Sequence, residues 1–173
     1  GGVLVETILR RKDFADIGAL VRALLEVPEK NFGAFHPTMS LVQMIVDATD
    51  PVNYAQYWID PAPGGSAKHV FVTEGTNDAA TPPVSTHALA ASAKIPILSP
   101  VVAESEAHQL LGMSGIDAPV HLNIVNASGR ALTAGLKQWN GDHFVAFDVT
   151  EARSMWRNWF QALRQGFEPQ LSP

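Results

Sequence analysis

Apolar positions along the chain follow two patterns, and the switch between them divides it. In the first third the repeat is helical. Ile17, Leu20, Val21, Leu24 and Leu25 fall at i, i+3, i+4, i+7 and i+8, the stripe of an amphipathic helix. Asp13 is placed to cap it, and it must end before Pro28. Val3 to Arg11 reads as a shorter helix before it. Pro37-Thr38 opens a third, carrying Leu41, Val42 and Ile45 on one face. Asp50 to Trp58 reads as a short aromatic helix, and Pro61 to Gly65 as a linker.

Beyond the linker the pattern becomes that of strands and helices. Lys68 to Thr73 is β-branched without clean alternation, as in a strand covered on both faces. Gly75 and Asn77 turn the chain. Thr81 is placed to cap a helix with Pro82 and Pro83 in its first turn, running through Val84, Leu89 and Ala91 to Lys94. Ile95 to Leu111 reads as a long crossover. Val120–Val125 and Arg130–Trp139 are strand-like runs joined by the turn Asn126-Ala127-Ser128-Gly129. A last helix opens near Thr150, with Ala152, Met155, Trp156, Trp159, Phe160 and Leu163 on one face, read as core facing a sheet. The tail from Glu168 to Pro173 is expected to fray. These elements predict an α/β fold: a helical segment over 1–65, and a mostly parallel sheet flanked by helices over 66–173. The strands at Lys68 and Thr133 should be parallel neighbours.

Composition narrows the function classes. With 173 residues the chain can bury one core. Seventeen acidic against twelve basic residues argue against a nucleic-acid surface. No apolar run approaches the roughly 18 residues of a membrane span. Without cysteine, thiol catalysis, disulfides and cysteine-type zinc sites are excluded. His36, His69, His87, His108 and His121 show no ligand spacing and no HExxH motif, so they read as structural, and neither a metal nor a cofactor is expected.

Two loops remain as candidate chemistry. Gly75-Thr76-Asn77-Asp78 puts a carboxylate at the carboxyl end of one strand. Gly141-Asp142-His143-Phe144 puts an imidazole in a tight turn between another strand and the last helix. That turn is a placement suited to a general base. Taken singly, Asp78 reads as a turn carboxylate capping its own loop, and His143 as a histidine bonded to a backbone carbonyl. Asp142 is a poorer partner for His143, because adjacent residues in a tight turn point in different directions.

The order strand–Asp78, strand–His143, terminal helix resembles the carboxyl-terminal part of an α/β-hydrolase. Gly75-x-x-Asp78 followed by Thr81-Pro82 is similar to that family's acid loop, and Gly141-Asp142-His143 followed by Phe144 to its histidine loop. Asp50-Pro51-Val52-Asn53-Tyr54 resembles a segment preceding the acid strand in large bacterial extracellular lipases. The resemblance implies a serine esterase or lipase in which Asp78 orients His143 as general base. It also implies a helical cap or lid over 1–65, with packing helices of no gating role as the alternative, an ester or lipid-like substrate, and a secreted or cell-envelope bacterial setting.

The nucleophile is the departure. A nucleophile elbow reads G-x-S-x-G between strand and helix. The nearest string, Gly112-Met113-Ser114-Gly115-Ile116, lacks the second glycine and follows the acid, so Ser114 reads as a loop serine. The chain opens Gly1-Gly2-Val3-Leu4 without Met, which reads as an internal start left by processing, nicking or the design of the expressed chain, or else as a tag remnant. The elbow is expected just upstream of Gly1, on an upstream segment or on an amino-terminal half present as a second chain, or, failing that, a second copy is expected to cover the sheet edge. The Lys68 strand would otherwise leave a sheet edge open, so 1–173 is not expected to fold or act alone. The alternative is a hydrolase-like domain that binds a ligand without catalysis.

Overall fold

The computed structural model describes residues 3–172. Three short helices open the chain: α1 (Leu4–Arg10), α2 (Ile17–Leu24) and α3 (Pro37–Val46). Asp16, not Asp13, caps α2, accepting the Ala19 N–H at 2.8 Å. Asp13 is instead drawn off by the Arg11 guanidinium, which it meets at 2.7 and 3.0 Å. His36 caps α3 through Nδ1, and Pro37 follows in its first turn. The aromatic stretch resolves into two 3₁₀ turns, Pro51–Asn53 and Ala55–Trp58.

Asp50, buried between these helices, ties them together. Its two carboxylate oxygens accept from the N–H groups of Val3, Leu4 and Val52 and from the Gln43 side chain. It thus satisfies orphan donors at the start of α1 and of the next turn. Burial alone would raise its pKa, but these donors together hold it below the ordinary aspartate value.

The sheet follows. β1 (Val70–Gly75) pairs in parallel with β4 (Ala134–Trp139), in the register Val70↔Ala134 to Gly75↔Trp139. The two strands are therefore parallel neighbours, as their placement predicts, and the fold is α/β with a small, mostly parallel sheet. Beyond β4, Ile97 bridges Leu136 in parallel, and Leu98 bridges Ile116. The expected crossover thus contains an extended piece, as well as the helix α5 (Glu106–Leu110). The hairpin is shorter than its sequence suggests: β2 (Ile124–Val125) against β3 (Ala131–Leu132). Asn126 Oδ1 fixes its turn by accepting from the Ser128 and Arg130 N–H groups, with Gly129 at φ 83°.

Helices cover both faces. α4 (Pro83–Ser92) lies on one, and its cap position is Pro82 rather than Thr81. There Ala90, Ile95, Ile97 and Leu136 share a core with Ala55 and Ile59 from the helical third. On the other face, after the single turn α6 (Val145–Asp148), α7 (Thr150–Arg164) buries Ala152, Met155 and Trp159, the last two packed with Leu98, Val120 and Leu171, and Trp159 packs on Phe71. Phe160 and Leu163 belong to the same stripe but stay exposed. The tail is docked, not frayed. Leu171 exchanges backbone hydrogen bonds with Val120, and Pro169 O accepts from Thr133 Oγ1. Pro173 lies outside the described residues.

β1 is an edge strand. Val70 N–H bonds Thr133 O and Thr76 N–H bonds Trp139 O. The alternating residues Phe71 and Thr73 therefore aim their backbone groups away from β4, where no strand pairs with them among the described residues. An apolar cavity of about 300 Å³, lined by Phe71, Thr73, Phe147, Trp156 and Phe160 among others, borders that edge. No described helix is long and apolar enough to cross a membrane.

Candidate functional site

Both candidate loops leave the same end of the parallel pair, because parallel strands release their following turns on one side. The loops are brought closer by Gly75. A Cβ built there would sit 1.9 Å from Asp142 O and 2.7 Å from Gly141 O, so only glycine lets the second loop lie across the first. Asn77 completes the junction: its N–H donates to Gly141 O at 2.8 Å, and its side-chain amide to Asn140 Oδ1 at 2.9 Å.

This junction brings Asp78 and His143 together across 65 residues of chain, with Nδ1 to Oδ2 at 2.9 Å. A carboxylate oxygen accepts, so the Nδ1–H donates. The other oxygen of Asp78, Oδ1, accepts from the Ala80 and Thr81 N–H groups, both at 2.8 Å. Asp78 therefore does both things considered for it: it caps its own turn with one oxygen and orients an imidazole with the other. The His143 side chain is 46% exposed while that of Asp78 is 10% exposed. The carboxylate is embedded and the ring reaches outward. His143 Nε2 has no partner among the described residues, and its ring stands edge-on to Phe144 at 5.2 Å.

Asp142 turns away, as its position dictates. Its Oδ1 accepts the Phe144 N–H at 2.9 Å, closing the loop on itself. A cavity of about 240 Å³ opens beside the pair, lined by Asp13, Asn77, Ala79, Ala80, Asp142, His143 and Phe144. Asp13 reaches it because the α1–α2 loop is tied to the acid loop by the Lys12 N–H donating to Ala79 O at 2.9 Å. The side-chain hydrogen bond from Arg11 holds the Asp13 carboxyl below the ordinary aspartate range. The lining carries no hydroxyl or thiol. Ser114 is exposed in the loop before Ile116, away from this cavity.

Of the remaining histidines, His69, His87 and His108 are held by structural hydrogen bonds, whereas His121 is exposed. His108 Nε2 donates to Ile95 O and its Nδ1 accepts from Ser105, and burial lowers its pKa below the free value. His69 Nδ1 accepts the Thr133 N–H at 2.9 Å while Nε2 meets Glu168. Burial lowers its pKa despite that carboxylate. His87 is different in one respect: its Nε2 meets the buried carboxylate of Glu74 at 2.9 Å. Residue type and spacing give no sign of that pair, since Glu74 sits inside a strand and His87 thirteen residues on, in a helix.

Compared with protein-family models, with curated proteins and with solved structures, the chain gave no match.

Proposed function

We propose that this chain is the carboxyl-terminal portion of a serine hydrolase cleaving carboxylic esters, with Asp78 orienting His143 as general base. The observation that carries the reading is the 2.9 Å bond from His143 Nδ1 to an Asp78 carboxylate anchored by two backbone N–H groups. A carboxylate so held fixes the ring's orientation and stabilises the imidazolium formed when Nε2 takes a proton. Nε2 is the nitrogen left open. The attacking hydroxyl comes from a serine outside this chain, on an upstream segment or companion chain, because the cavity beside His143 offers none.

The unpaired edge of β1 supports that division of labour, since its backbone groups and bordering apolar cavity suit a further strand. Phe144, exposed at the rim of the cavity beside His143, favours an ester with an apolar acyl part. A second reading, a hydrolase-like domain that binds a ligand without catalysis, draws on the same lack of a nucleophile.

A fluorophosphonate probe with a chromogenic ester separates the two. Residues 1–173 alone should be inert to both. Paired with the segment that completes the sheet, they should hydrolyse the ester and label one serine, on that segment. Replacing His143 by Ala in the pair should lower turnover by roughly 10³-fold or more. Activity from the isolated chain, or a completed pair that binds the ester and never labels, would defeat the hydrolase reading.

A further inference from the structure

The penultimate rung of the parallel pair carries a buried polar clasp. Glu74 and Gln138 are cross-strand partners at the carboxyl ends of β1 and β4, and both are buried. Gln138 Nε2 donates to Glu74 Oε1 at 2.9 Å and to Ala103 O at 3.0 Å. Its Oε1 accepts from the Val102 and Ala103 N–H groups, which fixes the amide's orientation. From α4, His87 Nε2 donates to the same Oε1 of Glu74 at 2.9 Å. Two donors thus converge on one carboxylate oxygen, while Glu74 Oε2 is buried with no partner.

A partly satisfied buried carboxylate is a costly way to hold a strand pair. A Leu in its place would fill the same apolar setting without an orphaned oxygen. What the polar rung supplies is a fixed geometry. The residue after Glu74 is Gly75, whose Cα lies against the His143 loop. Two residues after Gln138 comes Asn140, which is bonded to Asn77 of the acid loop. The rung lies one register pair before the strands end at Gly75↔Trp139, and it is the last one whose paired side chains are both buried polar groups, just before the two candidate loops diverge.

We infer that Glu74, with Gln138 and His87, is a positioning residue. Its clasp sets the relative placement of the acid and histidine loops, and so keeps the His143 ring on Asp78. Its importance for turnover rests on the hydrolase reading, but the clasp itself does not. Within it, Glu74 touches neither Asp78 nor His143 and acts only through the two strand ends.

The test reads the ring directly, by nitrogen-15 NMR of the His143 imidazole with no ester present, in the 173-residue chain where amide dispersion shows it folded and otherwise in the chain paired with the segment that completes its sheet. In the wild type the neutral ring should hold its proton mainly on Nδ1, with Asp78→Ala as the reference for a released ring. Glu74→Gln keeps an acceptor for both donors and should keep the Nδ1–H share. Glu74→Leu should lower it severalfold, to the Asp78→Ala value. The double variant Glu74→Leu/His87→Leu removes both ends of the buried pair, so it should retain stability near the wild type while still losing the Nδ1–H share. A folded double variant with the wild-type share would overturn the inference. So would loss of the fold in both Leu variants, which would make the rung a stability element alone. Failure of ester hydrolysis would leave this result untouched.

Discussion

Leu24 in α2 and Leu136 in β4 are both members of well-formed apolar patterns, yet Leu24 is 82% exposed and Leu136 is fully buried. The contrast extends to their regions. Around β4, Ile95, Leu98, Leu132 and Leu171 are all fully buried, packed from two sides by α4 and α7. In the helical third, Phe35, Met44 and Ile45 are 98%, 71% and 78% exposed. Each of those helices spends one flank on a neighbour and leaves the rest of its stripe uncovered. Amphipathic spacing thus states which face of an element is apolar, and says nothing of what covers it. The sheet region finds its cover within the chain because strands present two faces at once. A single helix stripe presents one, and α2 and α3 each pack chiefly on α1.

Five substitutions would break or sharpen that contrast. The largest effect is expected at the junction of the two loops. Gly75→Ala forces a Cβ into the Asp142 backbone; it should cost roughly 3 kcal/mol or more and separate His143 from Asp78. Denaturant unfolding together with the His143 nitrogen-15 signals would check both parts. Next, Leu136→Ala should cost about 2–5 kcal/mol through lost burial and a residual cavity, read from the same unfolding curves.

Asp50→Asn comes third, because an amide cannot accept from donors at both of its terminal atoms. A loss of about 2 kcal/mol at neutral pH is expected. The folded-state pKa of Asp50 lies below its unfolded value. Its contribution is therefore fully present above about pH 4 and is lost as pH falls through the folded value. His69 works in a different window. Its pKa is lowered because burial disfavours the charged ring. Its share of stability is thus full above about pH 6.5 and declines as pH falls toward the folded value. Unfolding free energies measured from pH 7 down to 3 should show the joint slope of His69 and the likewise buried His108 first and the Asp50 slope last, with the latter missing in Asp50→Asn.

The smallest effect is expected where the apolar stripe is uncovered. Leu24→Ala and Ile45→Ser should each change the chain's own stability by under about 0.5 kcal/mol. A loss of 2 kcal/mol at either position would show that the stripe is covered after all, and would erase the contrast with β4.

Much of the architecture was legible along the chain because it rests on local rules. The helices at 17–24 and 37–46, the prolines opening α4, the Asn126–Gly129 turn and the final helix follow from spacing and turn chemistry. So does the parallel pairing of the strands carrying Asp78 and His143, given the helices between them. Caps were less legible. Asp13 and Thr81 have the right chemistry for the positions expected of them, but an Arg two residues away claims the first, and the proline run displaces the second.

What the sequence by itself determined, then, was which elements form and which two loops carry a carboxylate and an imidazole. Those depend on residues within a few positions of one another. Only the tertiary structure decided that Asp78 and His143 touch, since that rests on a contact between Gly75 and the Asp142 backbone across the sheet. It alone decided that the tail docks, through Leu171 against Val120, and that Glu74, His87 and Gln138 form one buried clasp. Each of these joins residues from separate elements, and their partners are set by register and packing, which no local pattern encodes.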